Sequence, residues 1–301
     1  MSALVESFLA NGGKAHFMEL LKPDALKETN LLLIGGFIRD FASVLLQKGI
    51  DLNALESKND SKDSVDSVQA FLLHPLHFNP YPNLSHFLYE VGCEEAVVAL
   101  LASIFYPICE ENLELKTFVR SLDIGNLASE CNLSEEELEK IAQSFVERKS
   151  VIIFGNDLNA HKRVGNIGKI LALLSQAARQ IEIVFLDSAP RNNIKSQAKP
   201  IESLEELESY DGLVAYLQLK SVAEPILEVS KQFCQVGKIQ EDTMVKIQLE
   251  SQKEMKAKLY NKSDLKGMVG ILWIPQTFAL SEKWDLKGEF CYQKVKISKV
   301  A

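Results

Sequence analysis

Two glycine-bearing turns are the places where this sequence is best suited to bind a ligand. Gly35-Gly36 follows the apolar run Leu31–Ile34, and Gly155-Asn156 follows the apolar run Val151–Phe154. Ligands of open α/β sheets bind at the carboxyl ends of buried strands of this kind. Neither the dinucleotide fingerprint GxGxxG nor the phosphate-binding GxxxxGK[ST] is present. We therefore assign no cofactor-binding residue, and Gly35, Gly36, Gly155 and Asn156 remain the candidates.

The histidines and cysteines do not form a metal-binding pattern. His74, His77 and His86 cluster around three prolines, but no nearby carboxylate or thiol completes a ligand set. The five cysteines are far apart in sequence and include no CxxC pair. This spacing predicts reduced, mostly buried thiols, and it predicts neither an iron–sulfur cluster nor a structural zinc site.

The sequence contains no recognisable catalytic set. Ser134 followed by Glu135–Glu137 is a capping box, in which the acidic residues favour the start of a helix. Gly165 and Gly168 lie where a helical period is already running, which favours packing over phosphate binding. The patterns GxSxG and HExxH are absent. We therefore assign no catalytic residue and no metal ligand.

The elements that would position these turns are strands and helices in alternation. Residues 29–36, 71–74, 151–155 and 181–187 are short apolar runs typical of strands buried on both faces. Residues 151–187 form the clearest strand–helix–strand unit. We also predict an amphipathic helix over residues 3–22, interrupted at Asn11-Gly12-Gly13, and an αβ pair formed by residues 201–209 and 212–217.

The pattern changes near Gly237, after which the apolar segments are typical of strands separated by polar turns. We therefore predict an α/β domain with Rossmann-like parallel layers over residues 1–236, followed by a small β-rich domain over residues 237–301. The polar, serine-rich stretch 56–69 predicts an exposed, mobile loop within the first domain.

Composition and charge narrow the class of protein. The 301 residues are 47% hydrophobic and 25% charged, as in globular proteins. No apolar run reaches the roughly 20 residues that span a bilayer, and the N-terminus lacks the features of a signal peptide. We expect a cytoplasmic protein without direct membrane insertion.

The charge is distributed unevenly along the chain. Residues 244–301 carry 11 lysines and 6 acids, whereas the whole chain has a net charge of -8, which argues against nucleic acid as the main partner. The basic C-terminal segment is consistent either with a solvated β-surface or with a docking face for an acidic neighbouring subunit.

Several stretches together resemble the large iron–sulfur subunit of respiratory complex I, whose main body has a molybdopterin-oxidoreductase-like α/β fold. The similar stretches are Leu31–Arg39 with Ala42–Leu45, the unit Ser150–Asp187 with Gly155 and His161, and the C-terminal segments Glu241–Ile247 and Asp264–Val269. The cysteine-rich N-terminal domain of that subunit has no counterpart here. Phe37 and Ile38 occupy a turn where relatives carry polar residues and proline.

A small, cluster-poor chain of this kind is similar to the atypical complex I subunit of Campylobacter- and Helicobacter-type bacteria, whose complexes lack the usual NADH-oxidising pair. The resemblance implies a non-catalytic peripheral-arm subunit that packs on cluster-bearing subunits at the cytoplasmic face of the inner membrane. It implies that this chain binds no cofactor, that iron–sulfur clusters and any flavin belong to partner subunits, and that flavodoxin is the candidate donor to the complex.

Two other hypotheses remain open at this point. The chain could be a free-standing α/β enzyme that binds a nucleotide or another cofactor at the strand ends near Gly35 and Gly155. It could also be a degenerate molybdopterin-binding protein, which metal analysis for molybdenum or tungsten would reveal.

Overall fold

The computed structural model describes residues 2–55, 68–191, 198–279 and 288–300, which form two compact units. The first contains Met1–His74 and Tyr81–Glu208, and the second contains Pro75–Pro80 and Ser209–Ala301. The division therefore comes earlier in the chain than the predicted boundary between residues 236 and 237. The loop predicted near 56–69 lies mostly outside the described residues.

The first unit is built on a six-stranded sheet in which every neighbouring pair is parallel. Its strands in chain order are β1 (Ala15–Phe17), β2 (Asn30–Ile34), β3 (Ala70–Leu73), β4 (Ser85–Phe87), β5 (Ser150–Phe154) and β6 (Ile181–Phe185). Their order across the sheet is β1-β6-β5-β2-β3-β4. The predicted parallel sheet is thus confirmed.

Seven helices accompany this sheet among the described residues. They are α1 (Ala3–Ala10), α2 (Ile38–Gln47), α3 (Glu94–Phe105), α4 (Leu113–Arg120), α5 (Ile124–Glu130), α6 (Glu135–Glu147) and α7 (Val164–Ala177). The predicted capping box is present at α6, where Ser134 and Glu137 bond reciprocally to each other's backbone N–H. The predicted strand–helix–strand unit is β5-α7-β6.

The sheet is covered on both faces, which explains its uninterrupted apolar strands. Alternate residues of the central strands, such as Leu32, Ile34, Ile152 and Phe154, join a core that includes α1, α3 and α7. The intervening residues, such as Leu33, point to the other face and are buried as well. Every residue of β2 and β5 is buried.

Two local predictions in the first unit are wrong. The helix predicted over 3–22 ends at Ala10, because Gly12 and Gly13 break it and residues 15–17 pair with β6 as an edge strand. Residues 201–209 form no helix. Side chains from elsewhere in the unit accept hydrogen bonds from the backbone of this segment, as described below.

The second unit is a closed six-stranded barrel. Its strands are β7 (Val214–Lys220), β8 (Ile226–Val229), β9 (Met244–Leu249), β10 (Glu254–Asn261), β11 (Val269–Pro275) and β12 (Tyr292–Lys299), with the helices α8 (Lys231–Gly237) and α9 (Gln276–Ala279). The order around the barrel is β10-β8-β11-β7-β12-β9. The predicted strand at 212–217 therefore forms, as β7, but belongs to the barrel and not to the parallel sheet.

The barrel consists of two similar halves, β7-β8-α8-β9 and β10-β11-α9-β12. Exchanging the halves preserves the pairing pattern: β7 with β11 and β10 with β8 are parallel, whereas the remaining four pairs are antiparallel. The sequence repeats as well, with Ala-x-Leu at 215–217 and 257–259, and Ile-Leu-x-Val/Ile at 226–229 and 271–274. The alanines, the leucines at 217, 227, 259 and 272, and the terminal Val229 and Ile274 fill the interior.

The molecule is therefore a mixed α/β protein with a parallel sheet and a C-terminal β-rich unit, as the sequence predicts. Within the described ranges, none of the helices has both the length and the apolar character needed to cross a bilayer.

Candidate functional site

The carboxyl ends of β2 and β5 are the topological switch point of the sheet. From β2 the chain passes through α2 to β3 on one side, and from β5 it passes through α7 to β6 on the other. Open α/β sheets bind ligands in the crevice that opens where the connections diverge. Three of the four candidate residues meet closely here: the Gly155 N–H donates to the carbonyl oxygen of Ile34 at 2.9 Å, beside Gly35-Gly36.

Gly36 and Gly155 touch backbone to backbone in this crevice. A Cβ atom placed on Gly155 would lie 2.5 Å from the Gly36 Cα and 2.5 Å from the Gly35 carbonyl oxygen. A Cβ placed on Gly36 would lie 2.9 Å from the Gly155 Cα. Glycine is required at both positions because no rotamer change could relieve a clash between two backbones.

The chain itself fills the space above this contact. A short 3₁₀ turn, Asp157–Ala160, follows β5 and places the Leu158 side chain over Gly35, which has a φ of +64°. Leu158 is 1% exposed, and the Asp157 N–H donates to the Gly35 carbonyl oxygen at 2.9 Å. Asn156 is exposed, and its side-chain oxygen accepts a hydrogen bond from Asn159 at 3.3 Å. The four candidates thus lie together, and three of them pack against the chain's own atoms.

A histidine and two carboxylates lie beside this turn. His74 follows β3 and is buried, and its Nε2 is 3.5 Å from Oδ2 of Asp157. Partial desolvation of the Asp40 carboxyl, and secondarily the charge of Asp157, raise the pKa of Asp40 although the residue as a whole is exposed. A histidine next to a carboxylate and a carboxyl that holds its proton more tightly than usual are groups suited to proton transfer.

The three clustered histidines do not converge on one point. His86 Nε2 lies 3.3 Å from the backbone oxygen of His74, whereas His77 belongs to the segment that packs with the barrel unit. Burial, and secondarily the charge of Lys266, lower the pKa of His77. Within the described ranges, no group of three or more His, Cys, Asp or Glu side chains is arranged to hold a metal ion.

A second polar cluster lies at the N-terminus of α3, and sequence reasoning missed it. Glu94 is almost fully buried, and its Oε2 is 3.5 Å from Nε2 of His161. His161 Nδ1 accepts the backbone N–H of Arg163 at 3.1 Å, so a neutral ring carries its proton on Nε2, facing Glu94. Among the described residues, neither Glu94 oxygen makes a hydrogen bond, and the helix N-terminus offers the carboxylate a favourable field.

Arg163 connects this cluster to the segment 198–208. Its Nε donates to both oxygens of Glu95 at 3.1 and 3.2 Å, and its Nη2 donates to the Ser203 carbonyl oxygen at 2.9 Å. Asn166 donates to Glu95 at 2.6 Å and accepts the Glu202 N–H at 2.9 Å. Because these side chains bind the backbone of the segment, it follows the surface of the unit as an extended strap, and no helix forms there.

The three cysteines of this unit are free thiols, two of them buried and one half-buried. Cys93 and Cys131 are both buried, and the Cys93 thiol approaches the Glu130 carbonyl oxygen at 3.7 Å. The hydrogen bond with Cys93, followed by burial, raises the pKa of Cys131, and burial raises the pKa of Cys109 to about 11. Thiols that stay protonated at neutral pH are poor nucleophiles and poor metal ligands.

A groove of about 400 Å³ lies in the barrel unit. It is formed by the β9–β10 turn, by β12 and by the residues that precede β7, and its polar lining includes Asp211, Gln248, Lys294 and Lys296. Its walls carry charges of both signs. None of the candidate residues named from the sequence lines this groove.

No family model matches the chain, and no curated protein matches it. Among solved structures, the chain is similar to one chain of the formyltransferase/hydrolase complex FhcABCD from Methylorubrum extorquens, crystallised with methylofuran, at 11% identity and a TM-score of 0.36. The match covers 62% of this chain and 43% of that one, so this chain spans less than half of its length. A TM-score this low supports no statement about fold or activity.

Proposed function

We propose that this protein is a non-catalytic peripheral-arm subunit of a complex I-type quinone oxidoreductase. In this proposal the parallel sheet is a molybdopterin-oxidoreductase-like layer that no longer binds a ligand. The chain would act as a scaffold for cluster-bearing subunits at the cytoplasmic face of the inner membrane and would help form the entrance for an alternative electron donor, with flavodoxin as the candidate.

The observation that carries the proposal is the closed switch point of the sheet. The Gly36–Gly155 contact and the Leu158 side chain occupy the crevice where α/β proteins of this topology hold a ligand. The positions that resemble the complex I subunit fall on β2 and α2, on β5-α7-β6 and in the barrel unit. A chain that keeps the framework while filling its ligand crevice is suited to a structural role in an assembly.

Affinity purification from native membranes tests this proposal. We expect the tagged full-length chain to recover the iron–sulfur subunits of the quinone oxidoreductase in nearly equal amounts, and to retain them through a high-salt wash. A cytoplasmic protein carrying the same tag serves as the control. Recovery of the chain only from the soluble fraction, as a monomer without these subunits, would contradict the proposal.

The His74–Asp157 pair, with Asp40 nearby, favours a second candidate, a free-standing enzyme that binds a nucleotide at the same edge of the sheet. Thermal-shift measurements against flavins, dinucleotides and nucleotides separate the two functions. A ligand at a hundredfold excess over its Kd stabilises a protein by about 2.7 kcal/mol. A shift of that size with one ligand, lost in His74→Gln, would favour the enzyme, and no shift with any of them would favour the scaffold.

A further inference from the structure

The outer surface of the barrel carries a concentration of lysines on three neighbouring strands. The side chains of β12, β9 and β10 alternate between the interior and the outside, and five outward positions are lysines. We call these residues the lysine face: Lys246 on β9, Lys256 and Lys258 on β10, and Lys294 and Lys296 on β12. Five of the 11 lysines of the basic segment 244–301 thus lie on three neighbouring strands.

The positive charge of the lysine face is only partly compensated. The outward positions of these three strands include a single acid, Glu254, which pairs with Lys246 at 2.6 Å. Lys258 and Lys294 lie over the rings of Tyr260 and Tyr210. Among the described residues, no ion pair is formed by Lys256 or Lys296, which are both exposed.

The strand register adds a repulsion to this surface. Lys256 lies directly opposite Lys246 in the antiparallel pair of β9 and β10. Like charges at directly opposed positions destabilise a sheet. An anionic partner at this position would remove that repulsion when it binds.

The chemistry of the face points to carboxylates as its partners. The sequence contains no arginine after Arg191, so every cation of the barrel strands is a lysine. Arginine supplies the planar fork that binds phosphate in a bidentate manner, whereas lysine is a hydrated point charge. Adjacent strands are about 4.8 Å apart, and alternate residues along one strand are about 7 Å apart. The lysines therefore form a compact group, which suits a few carboxylates and not a long phosphate backbone.

The net charge of the chain also opposes large anionic surfaces. At -8 overall, the protein is repelled at long range by duplex DNA and by anionic bilayers, which extend well beyond a patch of five lysines. The groove described above adjoins the face at Lys294 and Lys296 and gives it a concave edge. We propose that the lysine face docks an acidic segment of another protein, an inference that does not depend on membership of a respiratory complex.

Binding of an acidic peptide to the full-length chain tests this inference. The probe is a fluorescent peptide of ten glutamates, measured by anisotropy at low and at high salt. The face variant is Lys246→Gln/Lys256→Gln/Lys296→Gln. The control variant, Lys14→Gln/Lys22→Gln/Arg120→Gln, removes three exposed cations from the other unit and changes the net charge equally.

We expect the peptide to bind the wild type and the control variant with similar affinity, and the face variant about tenfold more weakly, as three exposed ion pairs allow. High salt should remove this difference. Equal binding to both variants, or no binding to the wild type, would overturn the inference. Circular dichroism of the face variant verifies that it retains its fold.

Two further measurements distinguish other occupants. Tighter binding to a ten-base-pair DNA duplex or to vesicles of phosphatidylglycerol than to the peptide would overturn the inference in favour of a nucleic acid or a membrane. Salt-sensitive dimerisation in sedimentation, lost in the face variant, would overturn it in favour of a second copy of this chain. A wild type that binds the peptide but fails to recover respiratory subunits would contradict only the proposed function.

Discussion

One set of charged residues in each unit shows a contrast between buried, paired charges and exposed, unpaired ones. In the sheet unit, Glu95 and Lys169 are buried and Arg163 is half-buried, and all three bind partners distant in the chain. In the barrel unit, the five lysines of the lysine face point outward, and Lys256 and Lys296 have no acidic partner among the described residues. Charges that are buried and paired hold segments in place, whereas exposed and unpaired charges are available to other molecules.

The largest change in the free energy of unfolding is expected at the Gly36–Gly155 contact, where the two backbones leave no room for a side chain. Gly155→Ala would place a Cβ 2.5 Å from the backbone of Gly35-Gly36, and we expect a loss of about 3 kcal/mol or more in the free energy of unfolding. Gly165→Ala, where a Cβ meets no atom within 4 Å, should instead stabilise α7 by about 0.5 kcal/mol. Urea denaturation compares the two, and equal stabilities would show that the crevice has room.

The next largest change in the free energy of unfolding is expected when the Arg163–Glu95 ion pair is broken. Arg163→Met leaves the Glu95 carboxylate with the Asn166 amide but without its cationic partner. The side chains of the ion pair are only 13% and 6% exposed, so we expect a loss of about 2 kcal/mol in the free energy of unfolding. The matched surface pair is Lys27–Asp24, whose side chains are 55% and 58% exposed, and Lys27→Met should cost less than about 0.5 kcal/mol. A double-mutant cycle with Glu95→Gln measures the coupling, and similar losses for both pairs would remove the contrast between buried and surface charges.

A smaller effect of opposite sign is expected on the lysine face. Lys256→Glu replaces a like-charge pair opposite Lys246 with an attractive one, so the barrel should gain about 0.5 kcal/mol at low salt and nothing at high salt. The double variant Lys246→Glu/Lys256→Glu restores like charges and should lose the gain. A gain that persists at high salt or in the double variant would contradict an electrostatic cause.

The smallest expected effect is a pH dependence of stability that arises from His77, in the segment 75–80 that packs with the barrel. Burial, followed by the charge of Lys266, lowers the pKa of His77 below its ordinary value of 6.5. The unfolded chain therefore binds the proton more readily, so the barrel should lose stability as the pH falls below about 6.5 and through the lowered pKa. His77→Gln should make the free energy of unfolding less dependent on pH in this window, and an unchanged profile would contradict the prediction.

Local signals in the sequence predicted the framework of the sheet unit well. The strands β2, β5 and β6 and the capping box of α6 follow from apolar runs and neighbouring residues, because each depends on interactions within a few positions. The convergence of Gly35, Gly36 and Gly155 follows from the parallel arrangement of the strands that they end. The position of Leu158, which fills the space above these glycines, does not follow from the sequence, because it depends on the path of the single turn Asp157–Ala160.

The features that the sequence did not predict depend on contacts between residues far apart in the chain. Glu95 and Arg163 are 68 positions apart, and the local sequence signal for this cluster is the pair of adjacent acids at the start of the largely apolar helix α3. The placement of β7 and β8 was missed because their partners lie far along the chain: β7 pairs with β11 and β12, and β8 pairs with β10 and β11. The repeated Ile-Leu-x-Val/Ile motif was the signal that could have assigned these strands to the barrel.

The exchangeable halves of the barrel carry a consequence for its origin. Neither half can close on itself, because all six strand pairs of the barrel join a strand of one half to a strand of the other. A gene encoding one half could still yield a closed structure if two identical products associated about the shared axis. Fusion of such a gene with its own copy would join the two products by the short β9–β10 turn and leave the ancestral symmetry visible in the modern chain.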